Sequence, residues 1–155
     1  MLQRIQSIYL LFAGLVLLAL FFFPLAHNVY IDDKPSSIMV TGIYQDVNGV
    51  QQHTQSFVAL SVITGIVALV PLVIIFLYKN RKQQIALCYS AMLVLIGYSF
   101  WMAQTVKSAA GSITLDTHTM GIGLFLTSLS IVLIILAKKN IQKDEKLVRS
   151  ADRLR

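Results

Sequence analysis

Residues 57–82 read FVALSVITGIVALVPLVIIFLYKNRK: twenty-two residues without an Asp, Glu, Lys or Arg, followed by three basic residues in the next four positions. At about 1.5 Å per residue in a helix, such a run matches the thickness of a bilayer core. A basic cluster at its end marks the side that stays in the cytoplasm. Working outward, Ile5 to Ala26, Ile85 to Val106 and Thr119 to Ala137 are likewise free of charge. Eleven of the thirteen Lys and Arg residues then fall on one side of the four runs: Arg4, Lys79, Arg81, Lys82, Lys138, Lys139, Lys143, Lys146, Arg149, Arg153 and Arg155. Only Lys34 and Lys107 fall opposite. The pattern predicts an all-α membrane protein, a four-helix antiparallel transmembrane bundle with both termini cytoplasmic.

With 155 residues, 56% of them hydrophobic, little chain is left outside the spans, so residues 1–155 read as a single membrane domain. The net charge of +6 would point to nucleic acid in a soluble protein. Here it separates by side and is a topology signal first, with attraction to anionic headgroups as its corollary. Cys88 is the only cysteine, which leaves no internal disulfide and no cysteine metal cluster. The first run exceeds a signal-peptide core in length and has Pro24 at the −3 position of a cleavage site after Ala26, so it is expected to stay as an uncleaved helix.

The first outer loop, residues 27–56, has the chemistry of strands. Asn48-Gly49 supplies a type I′ turn, flanked by Ile43 to Val47 and Val50 to Thr54. Pairing Val47 with Val50 sets Tyr44 opposite His53. Asp32 to Ser36 read as the preceding turn, and Asn28 to Ile31 as a short additional strand. The second outer loop, residues 107–118, is short and polar. Each span carries a stripe of small residues: Ser7 and Gly14; Ser61, Gly65 and Ala68; Ala86, Ser90 and Gly97; Gly123, Thr127 and Ser130. Lipid tails are as apolar as Leu, so such stripes are expected at close helix contacts. In the tail, residues 138–155, Ile141, Leu147, Val148, Ala151 and Leu154 share one side of a helical wheel and charged residues the other. A cytoplasmic amphipathic C-terminal helix follows, of a kind that lies on the membrane face.

Catalysis and ion coupling in a membrane keep ionisable residues at depth. These spans contain none. His27, His53 and His118 all lie on the outer side, and an axial haem pair or metal site between His27 and His118 competes with ordinary solvated interfacial histidines. Ser112, Asp116 and His118 can be drawn as a triad, but without a nucleophile elbow or oxyanion-hole signature. The reading is therefore no enzyme, no cofactor and no metal. Two other clusters are candidate contacts. Arg4, Arg149, Asp152, Arg153 and Arg155 can hold a carboxylate or phosphate by paired hydrogen bonds. Tyr98, Trp101 and Gln104 read as an interfacial aromatic belt or as the mouth of a ligand site.

Two end motifs, Met1 to Leu10 (MLQRIQSIYL) and Lys143 to Arg155 (KDEKLVRSADRLR), resemble a family of small four-span inner-membrane proteins of Bacteroidota catalogued as a domain of unknown function. The resemblance covers the whole chain. It implies a Gram-negative inner membrane with the outer loops in the periplasm, and it supplies no activity. Both motifs are then cytoplasmic, where Arg4 and Asp152 have the chance to meet beneath the helices. The expected function is that of a non-enzymatic inner-membrane accessory or scaffold protein. Its partners are the membrane, other proteins and anionic lipid at the tail, not nucleic acid. The alternative is a binder or carrier of a lipid or quinone-like molecule within the bundle.

Overall fold

The computed structural model describes residues 3–31, 34–47, 50–78, 80–110 and 119–152. Among them are four helices, α1 (Gln3–Ala19), α2 (Val58–Phe76), α3 (Arg81–Ala110) and α4 (Gly123–Asp152). Between α1 and α2 lie four strands, β1 (Ala26–Ile31), β2 (Lys34–Ile38), β3 (Gly42–Val47) and β4 (Val50–Ser56). By length and composition α2, α3 and the Gly123–Val148 part of α4 can cross a membrane.

The first helix is shorter than its apolar run. It was expected to continue to Ala26, but it ends at Ala19 and Ala26 opens β1. Proline is the cause, because Pro24 pushes the residue before it out of the helical region. The chain meets this by tightening: Leu20, Phe21 and Phe22 donate their backbone N–H to carbonyls three residues back, at 3.0 to 3.2 Å. Seventeen residues give α1 a length of about 26 Å.

Each helix packs against its neighbours in sequence, and α4 closes back on α1. Particular contacts give the directions. Ser130 Oγ donates to the Ala13 carbonyl at 3.3 Å, Thr64 meets Tyr98, Gln84 reaches the Ile74 carbonyl and Lys138 reaches Tyr89. The start of α1, the end of α2, the start of α3 and the end of α4 therefore share one end of the molecule, called here the basic end. The sheet occupies the other. Leu10, Leu17, Ala68, Leu95, Met102 and Ile134 fill the interior together with Thr64, Thr127 and Ser130. The outward faces are predominantly apolar, with Phe12, Val62, Ile66, Leu93, Phe100, Phe125 and Val132 exposed. Proteins bathed in water do not present such continuous apolar surface.

The small-residue stripes are only partly used. Gly14 lies against the Leu72 side chain and the Ala68 carbonyl, and Gly123, Thr127 and Ser130 are buried. Ala86, Ser90 and Gly97 instead face outward, and a methyl group added at Gly65 or Gly97 meets nothing within 4 Å. The reason is angular. The buried line of α3 runs Gln84, Cys88, Ala91, Leu95, Tyr98 and Met102. Ala86, Ser90 and Gly97 each sit two positions after a member of that line, about 200° around the helix.

The expected hairpin is the last part of a larger antiparallel sheet of order β1-β2-β3-β4. Val47 pairs with Val50 and Tyr44 with His53, as the turn requires, with the register slipping by one between Ile43 and Tyr44. The turn residues Asn48 and Gly49 lie outside the described residues. Lys34, Pro35 and Ser36, read from sequence as turn, belong to β2. Proline is tolerated there because β3 pairs only with Ser36 to Ile38, leaving Pro35 bonded on one side. Val29, Ile38 and Val40 join the same buried cluster as the helices, and Ser61 Oγ donates to the Val40 carbonyl at 3.1 Å. The sheet therefore packs on its own helices, and β4 forms its exposed edge.

Candidate functional site

The basic end gathers polar groups that the sequence read only as topology signals. Gln84, fully buried in the first turn of α3, donates from Nε2 to the Ile74 carbonyl at 3.2 Å. That carbonyl lies in the last turn of α2 and also accepts the Leu77 N–H at 3.2 Å, so Gln84 supplies its second donor. Gln84 Oε1, Gln6 Oε1 and one guanidinium nitrogen of Arg81 are buried without a hydrogen-bond partner. One turn further along α3, the exposed Tyr89 meets Lys138 of α4, whose Nζ lies 3.1 Å from the hydroxyl and 4.4 Å from the ring centroid. Between α3 and α4 runs a groove of about 400 Å³ lined by Lys82, Ile85, Gln142, Glu145 and Lys146. Lys82 and Lys146 are 64 positions apart, so no local pattern could have joined them.

The candidate tail cluster is placed only in outline. Arg153 and Arg155 lie outside the described residues, and Arg4, Arg149 and Asp152 are placed by their helix backbones. In an antiparallel pair with Ser130 beside Ala13, Arg4 is level with about residue 139, and Asp152 lies roughly 20 Å further along α4. The backbones of Arg4 and Asp152, the pair expected to meet beneath the helices, do not lie level. Nor does the tail start a separate helix that turns onto a surface, since α4 runs unbroken to Asp152. Ile141 is buried, while Leu147 and Val148 from the same apolar side are exposed.

Tyr98, Trp101 and Gln104 point in different directions. Tyr98 is turned inward and its hydroxyl lies 2.6 Å from Thr64 Oγ1, which itself donates to the Leu60 carbonyl at 2.6 Å. Thr64 has one hydroxyl proton, so Tyr98 is the donor of the shared bond. Trp101 and Gln104 are exposed on the outer surface. Of the three, then, Tyr98 belongs to the interior and the other two to the surface. The cavity beside Pro71, lined by Val67, Val70, Ala91, Val94 and Leu95, holds only about 10 Å³.

Of the histidines, His53 stacks obliquely on Tyr44 with ring centroids 4.9 Å apart. The His27 backbone donates to the Thr119 carbonyl at 3.0 Å, which brings it beside the position following His118. His118, Ser112 and Asp116 lie outside the described residues. Among the described residues, no three His, Cys, Asp or Glu side chains are grouped so as to hold a metal ion.

These features define a helical membrane protein capped at one end by a small antiparallel sheet. The chain belongs to the family described as Domain of unknown function (DUF4293), which it matches over residues 2–154. No curated protein matches it.

Proposed function

We propose that this protein is a multi-pass component of a bacterial inner membrane, with four membrane-crossing helices and both ends in the cytoplasm. In this reading it serves as a non-enzymatic accessory or scaffold that binds other membrane proteins. Two features support α1 as a fourth crossing. It packs between α2 and α4 and so shares their solvent, and its outer face, with Ile8, Leu11, Phe12 and Leu15, is as apolar as theirs. The concentration of basic residues at one end supports the orientation.

The observation that carries the scaffold reading is the outward stripe of Ala86, Ser90 and Gly97 on α3, covered by no other described part of this chain. Small residues that do not let this chain's own helices approach are suited to admit a partner's helix, because close backbone approach is what holds helices together in lipid. A carrier that encloses its cargo would need a chamber of a few hundred Å³ in the bundle interior; the interior cavity beside Pro71 holds about 10 Å³, and the groove of about 400 Å³ is lined by the charged residues of the basic end. The test is affinity purification of tagged wild type and Gly97→Leu from native membranes in mild detergent. The open space at Gly97 lets the variant fold, so its thermal unfolding should match wild type while partner recovery is lost. Wild-type recovery of every partner by Gly97→Leu would end this reading.

A further inference from the structure

We propose that the groove between the first turn of α3 and the distal part of α4 is a headgroup site for an anionic phospholipid, with the phosphate held between Lys82 and Lys146. The groove has a volume of about 400 Å³, within the range of small-molecule sites. Two ammonium groups from different helices line it, with the Gln142 amide as a further donor. Like charges facing one cavity gain when a single anion lies between them. Glu145, the one acid of the lining, is already engaged within the protein. In the same turn as Lys82, a guanidinium nitrogen of Arg81 is buried without a partner. The free backbone N–H groups at the start of the 30-residue α3 add their positive end of the helix dipole at this level.

Depth and shape select a lipid rather than a soluble anion. Ile85 is the first residue of the apolar run of α3 and lies in the groove wall, one turn after Lys82. The groove therefore straddles the boundary between apolar core and charged surface, where headgroups lie. Tyr89, held under Lys138, is an amphipathic ring at the same interface, and the lysine stem reaches along it toward the polar side. From Ile85 a track of exposed Tyr89, Leu93 and Ile96 continues up one face of α3 at helical spacing. An acyl chain attached to a phosphate in the groove has this track to lie on. Free phosphate would use the lysines and leave the track unused.

The experiment uses full-length protein in neutral detergent, titrated with phosphatidylglycerol and read by native mass spectrometry for bound lipid. Wild type should retain one phosphatidylglycerol, and phosphatidylcholine should be retained far less. Lys82→Gln with Lys146→Gln should weaken retention about 30-fold, taking about 1 kcal/mol for each basic contact. Lys82→Arg with Lys146→Arg should keep it, which separates loss of charge from loss of fold. Lys139→Gln with Lys143→Gln removes the same charge from exposed positions outside the groove and should leave retention unchanged. Equal weakening by the two Gln pairs would replace the site by general basicity. Equal retention of phosphatidylcholine, or displacement of the lipid by millimolar inorganic phosphate, would also overturn the proposal.

Discussion

Gly121→Ala should be among the most damaging single-methyl changes in this protein. Gly121 lies where the segment leading into α4 crosses the junction of α1 and β1. Its N–H donates to the Leu25 carbonyl at 2.8 Å, Gly123 N–H donates to the Pro24 carbonyl at 3.0 Å, and His27 N–H donates to Thr119 at 3.0 Å. A Cβ at Gly121 would overlap the Pro24 carbonyl oxygen and come within 2.8 Å of the carbonyl carbons of Pro24 and Leu25. All are backbone atoms, so no rotamer change relieves the collision. Separating the strands of this clasp loses at least the first two bonds, around a Leu25 and an Ala26 that are fully buried. At about 0.5–1.5 kcal/mol net for each bond, and more for any polar group left buried and unpaired, the loss is about 2–5 kcal/mol. Gly97→Ala is the control. Its methyl meets open space, and replacing a mid-helix glycine should be neutral or stabilising by up to about 1 kcal/mol. Equilibrium unfolding of both variants in mixed micelles with increasing dodecyl sulfate measures the difference. Destabilisation by Gly121→Ala of under about 0.5 kcal/mol would refute the close-approach argument, whatever the control does.

Two further outcomes are expected. Thr64→Val should destabilise by about 1–3 kcal/mol, because it leaves the Tyr98 hydroxyl buried without an acceptor; adding Tyr98→Phe should then cost little, and the double-mutant cycle should give a coupling of about 0.6–1.7 kcal/mol. In a Cys88→Ala background, cysteines at the exposed positions Thr54 and Ser150 should label oppositely with a membrane-impermeant maleimide; labelling of Ser150→Cys but not Thr54→Cys in cells with a permeable outer membrane and an intact inner one would reverse the orientation.

The apolar runs and the hairpin register were legible because both are local. An uncharged run announces a membrane helix by length alone, and Asn48-Gly49 with its flanks fixes Tyr44 opposite His53. The inward face of α3 was not legible, since in lipid the outside of a helix is as apolar as its inside and hydrophobic periodicity loses its contrast. Small residues then offered a wrong guide, through Ala86, Ser90 and Gly97. Strand β2 was hidden by turn-like Lys34 and Pro35, whose pairing is imposed by β1 and β3. Pro24 was visible, but its effect on the preceding turn was outweighed by the continuity of the apolar run. The groove depends on Lys82 and Lys146 meeting across two helices, and each had already been absorbed into the charge count.

Helix α4 is thirty residues long without interruption, about 45 Å of rigid rod against a bilayer core of about 30 Å. Its near end is tied to the α1–β1 junction through Gly121 and Gly123 and to β1 through Thr119, and its far end carries Leu147, Val148 and one wall of the groove. Leverage follows from those proportions. A tilt of about 10° pivoting at the clasp would sweep the far tip through roughly 8 Å, given that length. In the proposed topology, anything that grips the sheet on one side of the bilayer has a mechanical handle on whatever sits against Leu147 on the other.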